Sequence, residues 1–174
     1  MEHLIDRTSN IELLCDAIVD RYHASLQESL PRIRDDMQSM SASAACPEVE
    51  TLRAAFDAVA EQIESHLAKE EHLLFPAIVA LSAAERDGTR RPALAFATML
   101  HPIRVMEAEH EKTETAIDRL RELARTVGEP DTLSPAWRRC MAHLAKLESE
   151  LREHHRAENE VLFPRALELE RRVF

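Results

Sequence analysis

The sequence predicts an all-α protein, an antiparallel up-down-up-down four-helix bundle with an internal helical-hairpin repeat. Three observations predict it. Apolar residues recur in alternating steps of three and four along most of the chain, the stripe of helices that each bury one face. Only two glycines and few aromatics interrupt a composition rich in Ala, Leu, Glu and Arg. Finally, His66-Leu-Ala-Lys-Glu70-Glu-His-Leu-Leu-Phe75-Pro76 is matched by His154-His-Arg-Ala-Glu158-Asn-Glu-Val-Leu-Phe163-Pro164, each anchor residue 88 positions further on.

The first helix is expected from Ser9, which forms a Ser-x-x-Glu capping box with Glu12, to about Met37. Its stripe is Ile11, Leu14, Cys15, Ile18, Val19, Tyr22, Leu26, Leu30 and Ile33, with His23 inside it and Pro31 as a source of a kink. Ser39 to Ala45 reads as a loop. Pro47 then opens the second helix at a position where its missing N–H costs nothing. The seam of this helix is Leu52, Phe56, Val59, Ile63, His66, Glu70 and Leu73, and Gly88 is its left-handed stop. Pro92 and Pro102 bracket Ala93 to His101, a stretch suited to a short lead-in helix, with the third helix proper starting near Pro102. That helix carries Ile103, Met106, His110, Thr113, Ile117, Leu120 and Ala124, and Gly128 ends it. Ser134-Pro135 opens the fourth, which runs to about Arg171 with Cys140, Leu144, Leu147, Leu151, His154, Glu158 and Val161 on its seam.

The duplication reaches beyond the motif. Pro47 and Pro135 differ by 88 residues and the lone histidines His23 and His110 by 87, so each hairpin supplies one His and then His-x-x-x-Glu. With a His and a Glu four apart, both side chains leave the same face, about 6 Å apart along the axis. That face is the seam, so imidazoles and carboxylates stand where a bundle wants Leu. An unpaired buried carboxylate costs several kcal/mol, roughly, and a cation held by His nitrogen and Glu oxygen removes that cost. A single His in an apolar stripe is more often a satisfied core residue than a ligand. Four of them, in register with two glutamates, outweigh that reading. His23, His66, Glu70, His110, His154 and Glu158 are therefore the expected metal ligands. If each Glu bridges, two metals share two carboxylates and each keeps two histidines, the donor set of a dinuclear iron or manganese centre, with zinc as an alternative.

Other residues near the pattern are set aside. His72 is two residues off the seam, His101 is out of phase with His110, and His155 points about 100° away from His154. His143 shares a face with His154 but lies about 16 Å along the helix. Glu71, Glu107, Glu109 and Glu160 read as solvated acids or as partners of a ligand's other ring nitrogen, Glu109 foremost. Leu74-Phe75-Pro76 and Leu162-Phe163-Pro164 read as core plugs with a kink. Cys15, Cys46 and Cys140, odd in number and widely spaced, read as buried structural thiols.

Composition narrows the function. The 174 residues, 45% apolar, suit a single domain spanning 1–174. A net charge of −10 offers no footprint for nucleic acid or an anionic membrane surface. No apolar run reaches the roughly 18 residues of a membrane span, and the N-terminus lacks the blocks of a signal peptide. A cytoplasmic protein is expected.

The residues His66-x-x-x-Glu70-Glu71 with Leu74-Phe75-Pro76, Met106-Glu-Ala-Glu-His110, and Glu158-Asn159 with Leu162-Phe163-Pro164-Arg-Ala resemble the hemerythrin-like HHE cation-binding domain. Within it they are most similar to the di-iron branch for repair of iron centres, which acts in nitric oxide and oxidative stress, and Tyr22-His23 with Leu30-Pro31 matches that branch's first helix. The resemblance spans nearly the whole chain. It implies His23, His66, His110 and His154 as terminal ligands, Glu70 and Glu158 as bridges, and two iron ions as the cofactor. The branch carries a small cysteine-containing domain ahead of the bundle, whereas this sequence starts almost at the bundle. The function so implied is a non-haem di-iron protein handling a small diatomic, nitric oxide or oxygen, in stress response or iron-centre repair. The alternatives are an oxygen, iron or redox sensor or carrier without turnover, and an iron- or manganese-dependent oxidase.

Overall fold

A computed structural model describes residues 10–43, 47–127 and 135–173. They are largely helical, with no strand among the described residues, and the α-helices are α1 (Ile11–Ile18), α2 (Ala24–Ser43), α3 (Pro47–Lys69), α4 (Phe75–Asp87), α5 (Leu100–Thr126), α6 (Pro135–Ala157) and α7 (Phe163–Arg172). Single π-helical turns at Val19–His23, Glu70–Leu74 and Glu158–Leu162 splice α1 to α2, α3 to α4 and α6 to α7. The result is four rods, three with a widened turn and one, α5, without. They pack as a helical bundle: α2 lies on α3 and α6, α3 on α5, and α1 and α7 on α4.

The rods start and stop for local reasons. The side chain of Asn10 accepts from the Glu12 amide at 2.9 Å and so caps α1. The expected cap, Ser9, lies outside the described residues, and the Glu12 carboxylate meets Arg86 instead. α2 carries Pro31 within it and continues to Ser43, past the expected end near Met37. Gly88 closes α4 in the left-handed conformation, φ 62°. Its N–H reaches the carbonyl of Glu85 (3.3 Å) and that of Thr89 the carbonyl of Ala84 (3.0 Å), which satisfies two terminal carbonyls. A side chain at residue 88 would meet nothing within 4 Å, so backbone conformation rather than space asks for glycine.

The short lead-in helix to which Ala93–His101 is suited does not form. Residues 89–98 are non-helical and α5 begins at Leu100, with Pro102 in its first turn. The reason is tertiary. Glu170, on α7, accepts from the Met99 amide through both oxygens (3.0 and 3.1 Å) and from Arg91 at 2.5 Å, capping α5 from across the bundle. The expected stop at Gly128 and the Ser134 before Pro135 lie outside the described residues, as does Cys46. Cys15 and Cys140 are buried free thiols, as expected. Burial pushes both up to about 12, which keeps them protonated and inert.

The core is two apolar clusters. One joins α1, α4, α7 and the start of α5, and includes Ile18, Tyr22, Leu74, Phe75, Met106, Ala157 and Leu162. The other joins α2, α3, α6 and the rest of α5, from Leu26, Leu67, Ile117 and Leu151 outward. In every rod the handover falls at the same place, between residues 22 and 26, 67 and 74, 106 and 117, or 151 and 157. His23, Glu70, His110 and His154 fall inside these intervals, and His66 and Glu158 sit one residue outside them.

No helix among the described residues is long and apolar enough to cross a membrane.

Candidate metal centre

The polar layer begins with helix phase. His66 and Glu70, like His154 and Glu158, are one turn apart on a seam, and all four are buried. His23 and His110 are buried on the other two rods. The six converge: ligand atoms of His23, Glu70, His154 and Glu158 all lie within 4.8 Å of one another, as do those of His66, Glu70, His110 and Glu158. Both glutamates belong to both groups.

Directly after each motif Glu the helix widens, and the Phe75 amide bonds to the Glu70 carbonyl and the Phe163 amide to the Glu158 carbonyl, five residues back. A proline follows each Phe, and its ring would crowd the preceding turn of a regular α-helix. The extra residue rotates the seam. Leu73, expected on the seam, is 54% exposed, while Leu74 is 2% exposed. Val161 is likewise only half-buried and Leu162 takes its place. π turns often mark functional sites, and here they also turn Phe75 and Phe163 inward. Phe75 stacks near His23 (centroids 5.7 Å apart) and Phe163 near His110 (5.9 Å). These phenyl groups are core plugs, as expected, and each lies against a histidine.

Nε2 of His23 and Nε2 of His154 approach to 3.1 Å, and those of His66 and His110 to 3.0 Å. The carboxylates stand beside them: Glu70 lies 3.4 Å from His23 and 3.3 Å from His66, and Glu158 3.0 Å from His154 and 3.2 Å from His110. The opposite ring nitrogens are tied outward. His23 Nδ1 meets Glu71 (2.8 Å), His66 Nδ1 meets Glu109 (3.1 Å), and His110 Nδ1 meets Asn159 (3.0 Å). An oxygen acceptor at Nδ1 fixes the proton there in a neutral imidazole, which leaves the Nε2 lone pair facing inward. Lone pairs in such proximity repel unless a cation or proton lies between them.

The donor chemistry fits a metal pair. All four oxygens of Glu70 and Glu158 are buried without a hydrogen-bond partner, a costly arrangement for a carboxylate unless a cation compensates it. In the ion-free protein protons play that part. Burial alone would lower His66, but the carboxylates of Glu70, Glu158 and Glu109 outweigh it and raise the imidazole to about 9. Burial alone would raise Glu158, but His154 and His110 outweigh it and hold the carboxyl well below its ordinary range.

The residues set aside fall in different places. His72 and His101 are exposed. His143 bonds to Asp36 at 2.7 Å, away from the layer. Glu107 and Glu160 face solvent, whereas Glu71 and Glu109 back two of the histidines. His155 lies outside both ligand groups, yet it is buried, stacked on His110 with centroids 4.0 Å apart and 15° between planes, and its Nδ1 lies 3.1 Å from Glu114. Residue 155 faces the α5 side of α6, so a 100° offset from His154 points it at a neighbouring rod, not at water. Burial, and then His110 and His154, push it down to about 2, which keeps it neutral. Asn159 was overlooked, and its one local signal is that it follows the motif glutamate.

The hemerythrin family, described as the hemerythrin HHE cation binding domain, matches residues 16–94 and 101–173. This chain belongs to that family. Proteins of the family bind di-iron centres, and the buried His/Glu cluster is able to hold such metal ions. Among relatives, the chain is 31% identical over 170 residues to the iron-sulfur cluster repair protein YtfE of Edwardsiella ictaluri (strain 93-146), covering 95% of this chain and 70% of that protein. It is 30% identical to the proteins of the same name from Yersinia pestis (strain Pestoides F) and Yersinia pseudotuberculosis serotype O:1b (strain IP 31758), covering 88% of this chain and 65% of each of theirs. The chain thus spans about two thirds of the length of these relatives.

Proposed function

We propose that this protein is a non-haem di-iron protein that handles a small diatomic, nitric oxide or oxygen, in stress response or iron-centre repair. The observation that carries this is the set of four fully buried carboxylate oxygens, without a hydrogen-bond partner, that face four inward imidazole nitrogens. His23 and His154 would hold one iron and His66 and His110 the other, and Glu70 and Glu158 belong to both groups of donors. When bound, an iron pair would supply redox-active Lewis-acid centres for a diatomic ligand. The chain does the rest. Glu71, Glu109 and Asn159 orient the ligand imidazoles and hold their outer protons, and Tyr22, Phe75 and Phe163 wall the layer with rings. The relatives' printed name, iron-sulfur cluster repair, supports the assignment to iron-centre repair.

We read residues 1–174 as one domain and the bundle as antiparallel, up-down-up-down, with two hairpins related by the repeat. Packing of α1 on α4 and of α2 on α3 supports antiparallel first and second rods. We further propose a cytoplasmic protein, whose acidic charge disfavours nucleic acid and anionic membrane surfaces as partners.

Metal analysis of protein produced with iron, followed by anaerobic visible spectra before and after each gas, tests the function. Two irons per chain and nitrous oxide formed from nitric oxide in a single turnover are the expected results. A reversible oxygen band with no product would instead establish a carrier or sensor, and protein that retains no iron would end the di-iron reading.

A further inference from the structure

Three of the four histidines in the layer have an outer partner on Nδ1, and His154 has none: its Nδ1 is buried and unpaired. One turn earlier on α6, Oε2 of Glu150 is also buried and unpaired. Residues four apart on a helix share a face, so the two lie on one side of α6. They are also complementary, because an imidazole N–H donates and a carboxylate oxygen accepts. Buried polar atoms are paired in the great majority of cases, and two matched orphans on one face most simply satisfy each other. The other oxygen of Glu150 is already anchored. Ser25 Oγ, from α2, donates to it at 2.8 Å, and Lys146 Nζ lies 3.4 Å away.

We propose that Glu150 is the outer carboxylate of His154, accepting from Nδ1–H through one bridging water, with Ser25 holding the carboxylate in place. Glu150 is then a positioning residue. It acts on the metal through His154, fixing the tautomer that turns the Nε2 lone pair inward. Every histidine of the layer is thereby backed from outside, by Glu71, Glu109, Asn159 and Glu150. The inference rests on the ligand set proposed above.

The test uses the full chain with ¹⁵N-labelled histidine, as wild type, Glu150→Ala, Glu150→Gln and Ser25→Ala. Long-range ¹H–¹⁵N spectra of the metal-free forms, recorded at a pH where the imidazole is neutral, read the tautomer of His154, and anaerobic calorimetric titration with Fe²⁺ reads affinity at each position. Wild type is expected to hold His154 as the Nδ1–H form and to take two ions. Glu150→Ala is expected to lose that tautomer preference and to bind one of the two ions about 10- to 100-fold more weakly. Glu150→Gln keeps an acceptor oxygen and should retain the tautomer and most of the affinity. Ser25→Ala, which leaves the carboxylate but frees it, should weaken the same ion by less, and serves if Glu150→Ala does not fold. An unchanged His154 tautomer with both ions bound as in wild type overturns the proposal. So does a drop in melting temperature, equal with and without metal, at unchanged tautomer, which is what a purely structural carboxylate gives. Wild type that binds no ion would overturn the ligand set instead, and the tautomer comparison would still decide the role of Glu150.

Discussion

Two regions of this bundle are equally buried and differ in what holds them. Leu30, Leu52, Phe56, Ile63, Leu120 and Leu147 form an apolar cluster whose stabilisation is internal, since removing their surface from water is favourable without any further partner. One layer along the same rods, His23, His66, Glu70, His110, His154 and Glu158 are buried as deeply, but their inward nitrogen and oxygen atoms face one another and the carboxylates have no hydrogen-bond donor. The apolar cluster makes the fold, and the polar layer is carried by the fold until a cation compensates it. Burial fractions alone would not separate the two regions. Their response to metal and to pH should.

The largest effect expected is from emptying the apolar cluster. Phe56→Ala should cost about 3–5 kcal/mol, and the loss in denaturant unfolding should be the same for metal-loaded and metal-free protein. A loss that depended on metal would break the distinction between the regions. Withdrawing the metal comes next. An ion that binds only the folded state adds about 4 kcal/mol when free ion is a thousandfold above its Kd, so chelation should lower the melting temperature by calorimetry. Glu70→Ala and Glu158→Ala should each bring metal content below two ions per chain and shrink that difference, whereas metal content equal to wild type would remove these carboxylates from the site.

The pH dependence sharpens the comparison further. In the ion-free protein His66 is raised from 6.5 to about 9, so the stability its proton contributes is complete below about 6.5 and lost as pH rises through about 9. Glu158 is held below 4.5, so its contribution is present above that value and lost only as pH falls well below it. The ion-free fold should therefore weaken from pH 6 to pH 9. Metal competes with the same protons and binds better as they leave. The stability gap between loaded and empty protein should widen from pH 5 to pH 8 in paired calorimetry, and a gap that narrows in that direction would contradict the layer's assignment. Phe56→Ala should leave this slope unchanged. The smallest effects belong to histidines outside the layer: His72→Ala and His143→Ala should bind metal like wild type. Loss of metal in His72→Ala would mean that the second rod faces differently than described.

Much of this was legible in the chain because helix phase is a local property. The three-four stripe of α5, from Ile103 to Ala124, is buried residue for residue as the spacing predicts. His66 with Glu70 and His154 with Glu158 fall on seams, so their burial follows from periodicity alone, and the matched spacings, 87 residues from His23 to His110 and 88 from His66 to His154, anticipate a single layer. What periodicity cannot anticipate is a change of period. The widened turns after Glu70 and Glu158 displace Leu73 and Val161 from the seam and admit Leu74 and Leu162. The proline after each Phe signals a disturbance there without saying in which direction the helix will turn. Contacts between rods are likewise invisible in one dimension. Glu170 caps α5 from 71 residues away, Asn159 backs a histidine on another rod, and His155 is buried because α5 lies where an isolated helix would meet water. The sequence by itself determined the helices, their buried faces up to the widened turns and the burial of the six residues of the layer, because each depends on the spacing of neighbours along one chain. Only the tertiary structure decided the outer partners of the histidines, the start of α5 and the place of His155, because each depends on which rod stands beside which.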